Sequence, residues 1–386
     1  MAKTNHVEYL NYIMAHPRMT VLIIGGLMLL IQLYYYLYYY LRIFGVSKPK
    51  DAESHNPPLS VIICARDEDE NLRNHLPPIL EQAYPNYEVI VVDDCSTDDT
   101  EAVLNGFAQK YPHFRVTRIK QDDNFSHGKK LALTVGIKAA KNNWLVFTDA
   151  DCRPASKNWL RSLSACMKPG KELVLGYGGY EKEGGLLNSL IRYETLFIAL
   201  QYFTFSAARR TYMGVGRNLA YTKDLFFKNK GFASHYQLAS GDDDLFVQQA
   251  TTERNTARCA DPDAFTYSVP KRSFAAWNSQ KRRHLTTSGH YKPSIRRRLA
   301  WEPLSRVLFW ASIVMSLLWF PSFWPYIAGA AALRWLFQII VLAKTTRQLN
   351  EKKLFFPALG YDILIPFLYF YFWAHNLISV KPNRWK

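Results

Sequence analysis

From Thr20 to Leu41 the chain carries no charged residue. As a helix this run is about 33 Å long, enough to cross a bilayer core of roughly 30 Å. A cleaved signal peptide fits poorly, because the apolar stretch is too long and no small-residue cleavage site follows it. Tyr34, Tyr35, Tyr36, Tyr38, Tyr39 and Tyr40 crowd one end, where an aromatic belt would meet lipid headgroups. An integral membrane protein is expected.

The tail repeats the signal. Leu304–Ser322 and Trp324–Ala343 read as two spans joined by the proline-marked turn Pro321–Pro325, and Leu354–Val380 as a third, with Pro366 as a kink. Lys344–Lys353 is a basic loop, and Arg42, Lys48 and Lys50 follow the first span. The positive-inside rule puts both in the cytoplasm, as in a bacterial-type inner membrane. Lys381, Arg384 and Lys386 then fall outside, against the rule, so full crossing by the last segment is left open. Arg334 lies inside Trp324–Ala343 and Asp362 inside Leu354–Val380. Arg334 and Asp362 sit about 15 and 12 Å from the loop on antiparallel neighbours. An unpaired charge at such depth costs at least ~2.5 kcal/mol, so a buried ion pair is expected. The alternative is shifted span boundaries, with Arg334 snorkelling and Asp362 at the interface.

Five cysteines, none in a C-x-x-C pair, exclude a disulfide-built domain and point to a reducing compartment. Lysine and arginine total 48 against 32 acids, a net charge of +16. That balance raises the possibility of a nucleic-acid binder, but no motif interleaves basic and aromatic residues as such proteins do.

Between the spans, residues 58–290 alternate strand and helix patterns. Leu59–Cys64, Glu88–Val92 and Trp144–Thr148 are short apolar runs suited to buried parallel strands. Asn71–Gln82, Thr97–Lys110 and Lys129–Ala140 read as helices between them. The fold class is therefore α/β, a parallel sheet with right-handed crossovers. The remaining boundaries are a lead segment 1–19, the span 20–41, a linker 42–57, a basic juxtamembrane linker 291–303, three candidate spans in 304–380 and a basic tail 381–386.

Ligands of such sheets gather at the carboxyl ends of the strands. Three acidic clusters converge there: Asp67 and Glu68, then Asp93, Asp94 and Asp98, then Asp149 and Asp151. Grouped carboxylates repel unless a cation neutralises them. Helix capping is the plain alternative for Asp94 and Asp98. Asp149 and Asp151 after a buried strand suit a hard divalent cation, Mg²⁺ or Mn²⁺, whose shell is completed by phosphate oxygens. Such an acidic edge would repel a nucleic-acid backbone.

These segments together resemble the family 2 glycosyltransferases over residues 58–290. The resemblance implies a GT-A fold, the Rossmann-like fold of nucleotide-diphospho-sugar transferases, with membrane helices at both ends. Ser60–Glu68 is similar to the family's opening strand and nucleotide loop, and Val91–Thr100 to its second strand, whose second aspartate is here Asp94. His127–Lys129 with Ala132 and Leu133 resembles the segment before the metal strand, and Phe147–Cys152 the metal motif. On this resemblance Ala65, Arg66, Glu68, Asp94, Lys129 and Asp149 bind nucleotide, while Asp149 and Asp151 hold the metal. Ser240–Leu245 occupies the place of the E-D-x-D/E-L segment. Registering on Asp244 and Leu245 makes Asp242 the general base and puts Gly241 where the family has glutamate, which leaves Asp243 as a competing base. Gln280–His284 resembles Q-x-x-R-W, with His284 replacing the tryptophan. Gln280, Arg283 and His284 are thereby assigned to the diphosphate or acceptor. Gly214–Leu219 is similar to the acceptor-side loop.

The expected activity is metal-dependent, inverting transfer of sugar from a nucleotide donor, a UDP-sugar, to a lipid or saccharide hydroxyl at the membrane. A processive polysaccharide synthase and a non-catalytic membrane scaffold are the alternatives. For Asp242–Asp244 the plain reading is a solvated helix start. For Lys281, Arg282 and Arg283, and for Arg296–Arg298, it is contact with anionic lipid.

Overall fold

The computed structural model describes residues 17–46, 56–120 and 128–378. Residues 1–16, most of the 42–57 linker with Lys48 and Lys50, His127, and the basic tail lie outside the described residues.

The first apolar run forms α1 (Pro17–Tyr34), a widened turn at Tyr35–Tyr39 and a tighter 3₁₀ stretch at Tyr40–Gly45. The change of winding turns Tyr35, Tyr36, Tyr39 and Tyr40 inward, and all four are buried. Tyr39 stacks on Phe205 at 4.1 Å between ring centroids. The expected aromatic belt is thus largely a protein-packing surface. Of the six tyrosines only Tyr34 and Tyr38 are exposed.

The central region runs β1 (Leu59–Ala65), α2 (Asp69–Leu80), β2 (Tyr87–Asp94), α3 (Thr100–Lys110), β3 (Phe114–Ile119), α4 (Lys129–Ala139), β4 (Trp144–Phe147), β5 (Cys152–Pro154), α5 (Trp159–Ser164), β6 (Leu173–Leu175), β7 (Gly178–Tyr180), α6 (Leu186–Ala207), β8 (Leu219–Thr222), α7 (Lys223–Lys228), α8 (Asp244–Ala250), β9 (Thr256–Arg258), β10 (Thr266–Ser268) and α9 (Phe274–Ser288). The main sheet has the order β3-β2-β1-β4-β8-β6-β9, and β5-β10-β7 form a smaller one. The first four strands are parallel, as expected. The purely parallel reading fails beyond them, because β8 pairs antiparallel with β4 and with β6. These later strands have only three or four residues, too few for a pattern to separate them from loops. Alternation along β1 and β2 sends Ile62, Cys64, Ile90 and Val92 to one face and Val61, Ile63, Val89 and Val91 to the other, making two cores. Helix α4 lies close on the first face. A Cβ at Gly136 would sit 2.7 Å from Ile62.

After α9 come α10 (Pro293–Trp319), α11 (Trp324–Gln348) and α12 (Phe355–Ile378). Among the described residues three segments are long and apolar enough to cross a membrane: Pro17–Gly45, Pro321–Gln348 and Lys352–Ile378. The expected span Leu304–Ser322 is not among them. Its helix, α10, starts well before Leu304 and carries Arg296, Arg297, Arg298, Glu302 and Arg306. It packs along α1, with Gly25 so close to Ser312 that a Cβ would lie 2.6 Å from its hydroxyl.

Candidate active site

Three acidic strand ends do meet on one edge. At the first, Asp67 adopts φ 53° and accepts the Thr97 N–H at 2.7 Å. Its own N–H donates to Ser96 Oγ at 3.0 Å. The Glu68 N–H donates to Thr100 Oγ1 at 3.0 Å. The β1 and β2 loops, carrying Ala65, Arg66, Glu68 and Asp94, are therefore laced together. Asp94 is buried at the end of β2. Asp98 follows the plain reading, since it accepts the Thr100 N–H at 2.9 Å at the start of α3.

Lys129, the first residue of α4, joins two further clusters. Its ammonium lies 2.8 Å from Asp149 Oδ1 and 3.1 Å from Asp242 Oδ2. Burial opposes the Lys129 charge, but Asp149, Asp242 and Asp243 more than offset it and hold its pKa well above the ordinary value. Burial likewise opposes the charge on Asp149, and Lys129 outweighs it, so this carboxyl titrates below its usual range. Lys129, Asp149, Asp242 and Asp243 line one cavity with Cys64, Phe147 and Gly216.

Asp149, Asp151 and Cys152 each place a ligand atom within 4.8 Å of the others. Two carboxylates suit Mg²⁺ or Mn²⁺. The Cys152 thiol is pushed well above its ordinary pKa by burial and then by Asp151. It stays protonated and points at Asp151 Oδ1 at 3.5 Å, a neighbour of a hard-cation site rather than a ligand. Ser268 donates to Asp151 Oδ2 at 3.1 Å. Lys129 marks the place where positive charge is wanted. The residues fit the cation.

Asp243 accepts the Gly216 N–H at 2.9 Å and the Asp244 N–H at 2.7 Å. Burial, then the charges of Asp242 and Asp244, push its carboxyl up to about 7. Asp244 is structural: it accepts from Thr287 at 2.5 Å and from Tyr291 at 2.7 Å. Gly241 has φ +103°, and a Cβ there would lie 2.6 Å from Leu245. The backbone explains why no glutamate stands at this position.

The structure adds a residue that sequence reasoning missed. Lys130 is buried, and its ammonium donates to the carbonyls of His235, Leu238 and Ser240 at 2.7, 2.7 and 2.6 Å. It ties down the loop that delivers Asp242 and Asp243. Beside Lys129 it reads as one more basic residue, with no signal of its own.

The Gln280–His284 segment lies on α9. Gln280 donates to the Tyr180 hydroxyl at 3.3 Å, and the Arg217 guanidinium stands over that ring at 4.2 Å. Arg283 is close enough to Asp149 to favour its charge. His284 is exposed. Lys281 pairs with Glu194 on α6, and Arg282 donates to Asn376 on α12 at 2.9 Å. The segment thus splits, with Gln280 and Arg283 on the site side and Lys281 and Arg282 fastening α9 to the helices.

Residues 60–226 match the family model "Glycosyl transferase family 2". The chain carries a family 2 glycosyltransferase domain. Glycosyltransferase AglE of Haloferax volcanii is 29% identical over 204 residues, 50% of this chain and 62% of that protein. Over 93 residues, 24% of this chain and 35% of the relative, this chain is 33% identical to UDP-Glc:alpha-D-GlcNAc-diphosphoundecaprenol beta-1,3-glucosyltransferase WfaP of Escherichia coli. The chain thus spans less than two thirds of these relatives. The mannosyltransferase PcManGT of Pyrobaculum calidifontis, solved with GDP-Man and Mn²⁺, superposes with a TM-score of 0.54 at 20% identity. The overlap covers 90% of this chain and 98% of that one. The transferase domain has the GT-A fold.

Proposed function

We propose that the protein is a membrane-bound, inverting glycosyltransferase that moves a sugar from a nucleoside-diphosphate donor to a hydroxyl of a lipid or lipid-linked acceptor. The observation that carries this reading is the convergence of Asp149 and Asp151 with Asp242 and Asp243 around Lys129 on one sheet edge. The diphosphoundecaprenol acceptor and UDP-Glc donor in the name of WfaP, and three candidate spans, support the lipid acceptor and a UDP-sugar. The basic loop after α11 supports a cytoplasmic catalytic domain.

Asp149 and Asp151 would hold a divalent cation, Mg²⁺ or Mn²⁺, which when bound neutralises charge on the departing diphosphate. The β1 and β2 loops with Arg66, Glu68 and Asp94 bracket the nucleoside. Lys129 and Arg283 bring positive charge to the diphosphate side. The acceptor hydroxyl has a pKa far above 7, so a carboxylate must take its proton as it attacks. Asp242 is assigned that role. The raised pKa of Asp243 favours a second reading with Asp243 as base, since about 7 suits proton transfer near neutrality. With one of these carboxylates as base and none assigned as nucleophile, the proposed step is a single displacement with inversion.

The near Q-x-x-R-W on α9, fastened to α12, favours the processive alternative. One experiment separates the readings: membranes holding the full chain are incubated with labelled sugar nucleotides, then lipid and polymer fractions are extracted. Label in the lipid fraction is expected. Label in polymer alone would favour the synthase, and no label with any donor would leave the scaffold.

A further inference from the structure

The far edge of the main sheet, remote from the acidic site, holds a second cavity of about 200 Å³, lined by Lys168, Lys171 and Arg258 beside Gly45 and Val46. At roughly 30 Å³ per water it has room for a small anionic group and its hydration. The sequence builds it locally. Lys168, Pro169, Gly170 and Lys171 follow the type II turn pattern, with proline second and glycine third. Gly170 has φ +76°, and the Lys171 N–H closes on the Lys168 carbonyl at 2.9 Å. Such a turn brings its end residues to within about 7 Å, so both lysines flank one opening. Strand β9 supplies the third cation, with Arg258 in register with Leu175.

Among the described residues none of the three pairs with a carboxylate. Lys171 spends a donor on the Arg254 carbonyl at 2.5 Å, and Arg258 one on the Ser206 carbonyl at 3.3 Å. Burial, and then the charge of Arg258, lower the pKa of Lys171. Like charges held together at a half-buried cavity are unfavourable until an anion enters. The position is informative too. Gly45 ends the first candidate span, and Gln348, ending α11, donates to the Val46 carbonyl. Arg42 lies over Tyr38 and Lys344 over Phe44 nearby in the chain. The cavity therefore opens where two candidate spans end, the level at which lipid headgroups would lie.

We infer that this cavity is a binding site for a phosphate group, carried by an anionic lipid headgroup or free in solution. A phosphate would accept from both lysines and from the planar fork of Arg258.

The test uses the purified full chain and reads Tm, with phosphatidylglycerol added to phosphatidylcholine nanodiscs in one arm and inorganic phosphate added in lipid-free detergent in the other. Wild-type protein should rise in Tm in at least one arm. A rise with phosphatidylglycerol alone assigns a lipid headgroup, and a rise with inorganic phosphate assigns the free anion. Lys168→Gln/Lys171→Gln, on an exposed turn, should lose most of that shift while Arg258→Lys keeps part of it. Nucleotide-donor binding, measured alongside, should be unchanged in both variants. Equal shifts in wild type and the double lysine variant, or no shift in either arm, would overturn the site.

Discussion

Arg334 closes on Asp362 at 2.7 Å, both side chains buried between membrane-type helices. The pair was expected from depth alone, but it is part of a larger group. Asp362 also takes Arg306 of α10 at 2.8 Å, and Arg306 pairs with Glu302. Arg334 further donates to Gln32 of α1 at 3.1 Å and to Gln338 at 2.8 Å. Two arginines and two acids thus sum to zero charge and tie four helices together.

Asp362 serves two cations and Arg334 only one anion, so their removal is not symmetric. Asp362→Asn strands one arginine and weakens the other. Arg334→Gln leaves Asp362 paired with Arg306. Breaking a buried pair costs about 3–5 kcal/mol, so the asparagine variant should approach that loss and the glutamine variant fall short of it. Thermal unfolding in detergent measures both. An equal or larger loss for Arg334→Gln would mean that Arg306 does not share the carboxylate. A simple charge swap should not restore stability, because Arg306 would then face an arginine.

The strand-end acids give a sharper expectation. Asp151→Asn should abolish Mn²⁺-dependent binding of a nucleoside diphosphate, since Asp149 alone retains Lys129 as its counter-ion. Calorimetry with Mn²⁺ and UDP or GDP reads it directly. Cation-dependent binding at wild-type strength would remove Asp151 from the site.

The two base candidates separate by kinetics and by pH. Asp242→Asn should depress kcat sharply with donor affinity kept, because only a transition-state proton transfer is lost. If Asp243→Asn is the crippling change, the register through Gly241 is wrong. Stability gives an independent handle on Asp243. Its carboxyl titrates near 7 when folded against an ordinary 3.8, so the native state holds a proton that the unfolded chain releases. That contribution is full below about pH 4 and is lost as pH rises through about 7. Asp243→Asn should therefore raise Tm at pH 8, with the gain shrinking toward pH 4. A pH-independent difference would contradict the assignment.

Much of this was legible because buried parallel strands are short apolar runs and the residues after them are exposed to ligand. Asp149, Asp151 and Asp94 stand out for that reason. Lys130 did not, since a cation satisfied by three carbonyls a hundred residues away leaves no local pattern. Nor did β8, whose four residues and antiparallel sense depend on partners distant in sequence. The tyrosine run carried the right chemistry and the wrong neighbour: amphipathic rings suit a headgroup layer, but α6 offers a better-packed surface. The start of the helix over Leu304–Ser322 was not legible either, because it begins at Pro293 among charged residues that no apolar run marks.

Lys130 yields the last prediction. Its three carbonyl partners fix the loop at 235–240, immediately before Asp242 and Asp243. Lys130→Met keeps the length of the stem and its burial but leaves three acceptors without a donor, each worth about 1–3 kcal/mol if it stays buried. The loop should relax to find water, carrying the carboxylates off line. A misplacement of about 1 Å can cost on the order of 100-fold in rate, so kcat should fall steeply. Donor binding should persist, because Asp149, Asp151 and the β1 and β2 loops hang from other elements. Lys130→Arg, which restores donors, should recover part of the rate. Kinetics read beside nucleotide affinity decide the matter: if kcat survives, or if affinity falls in step with it, Lys130 does not position the base.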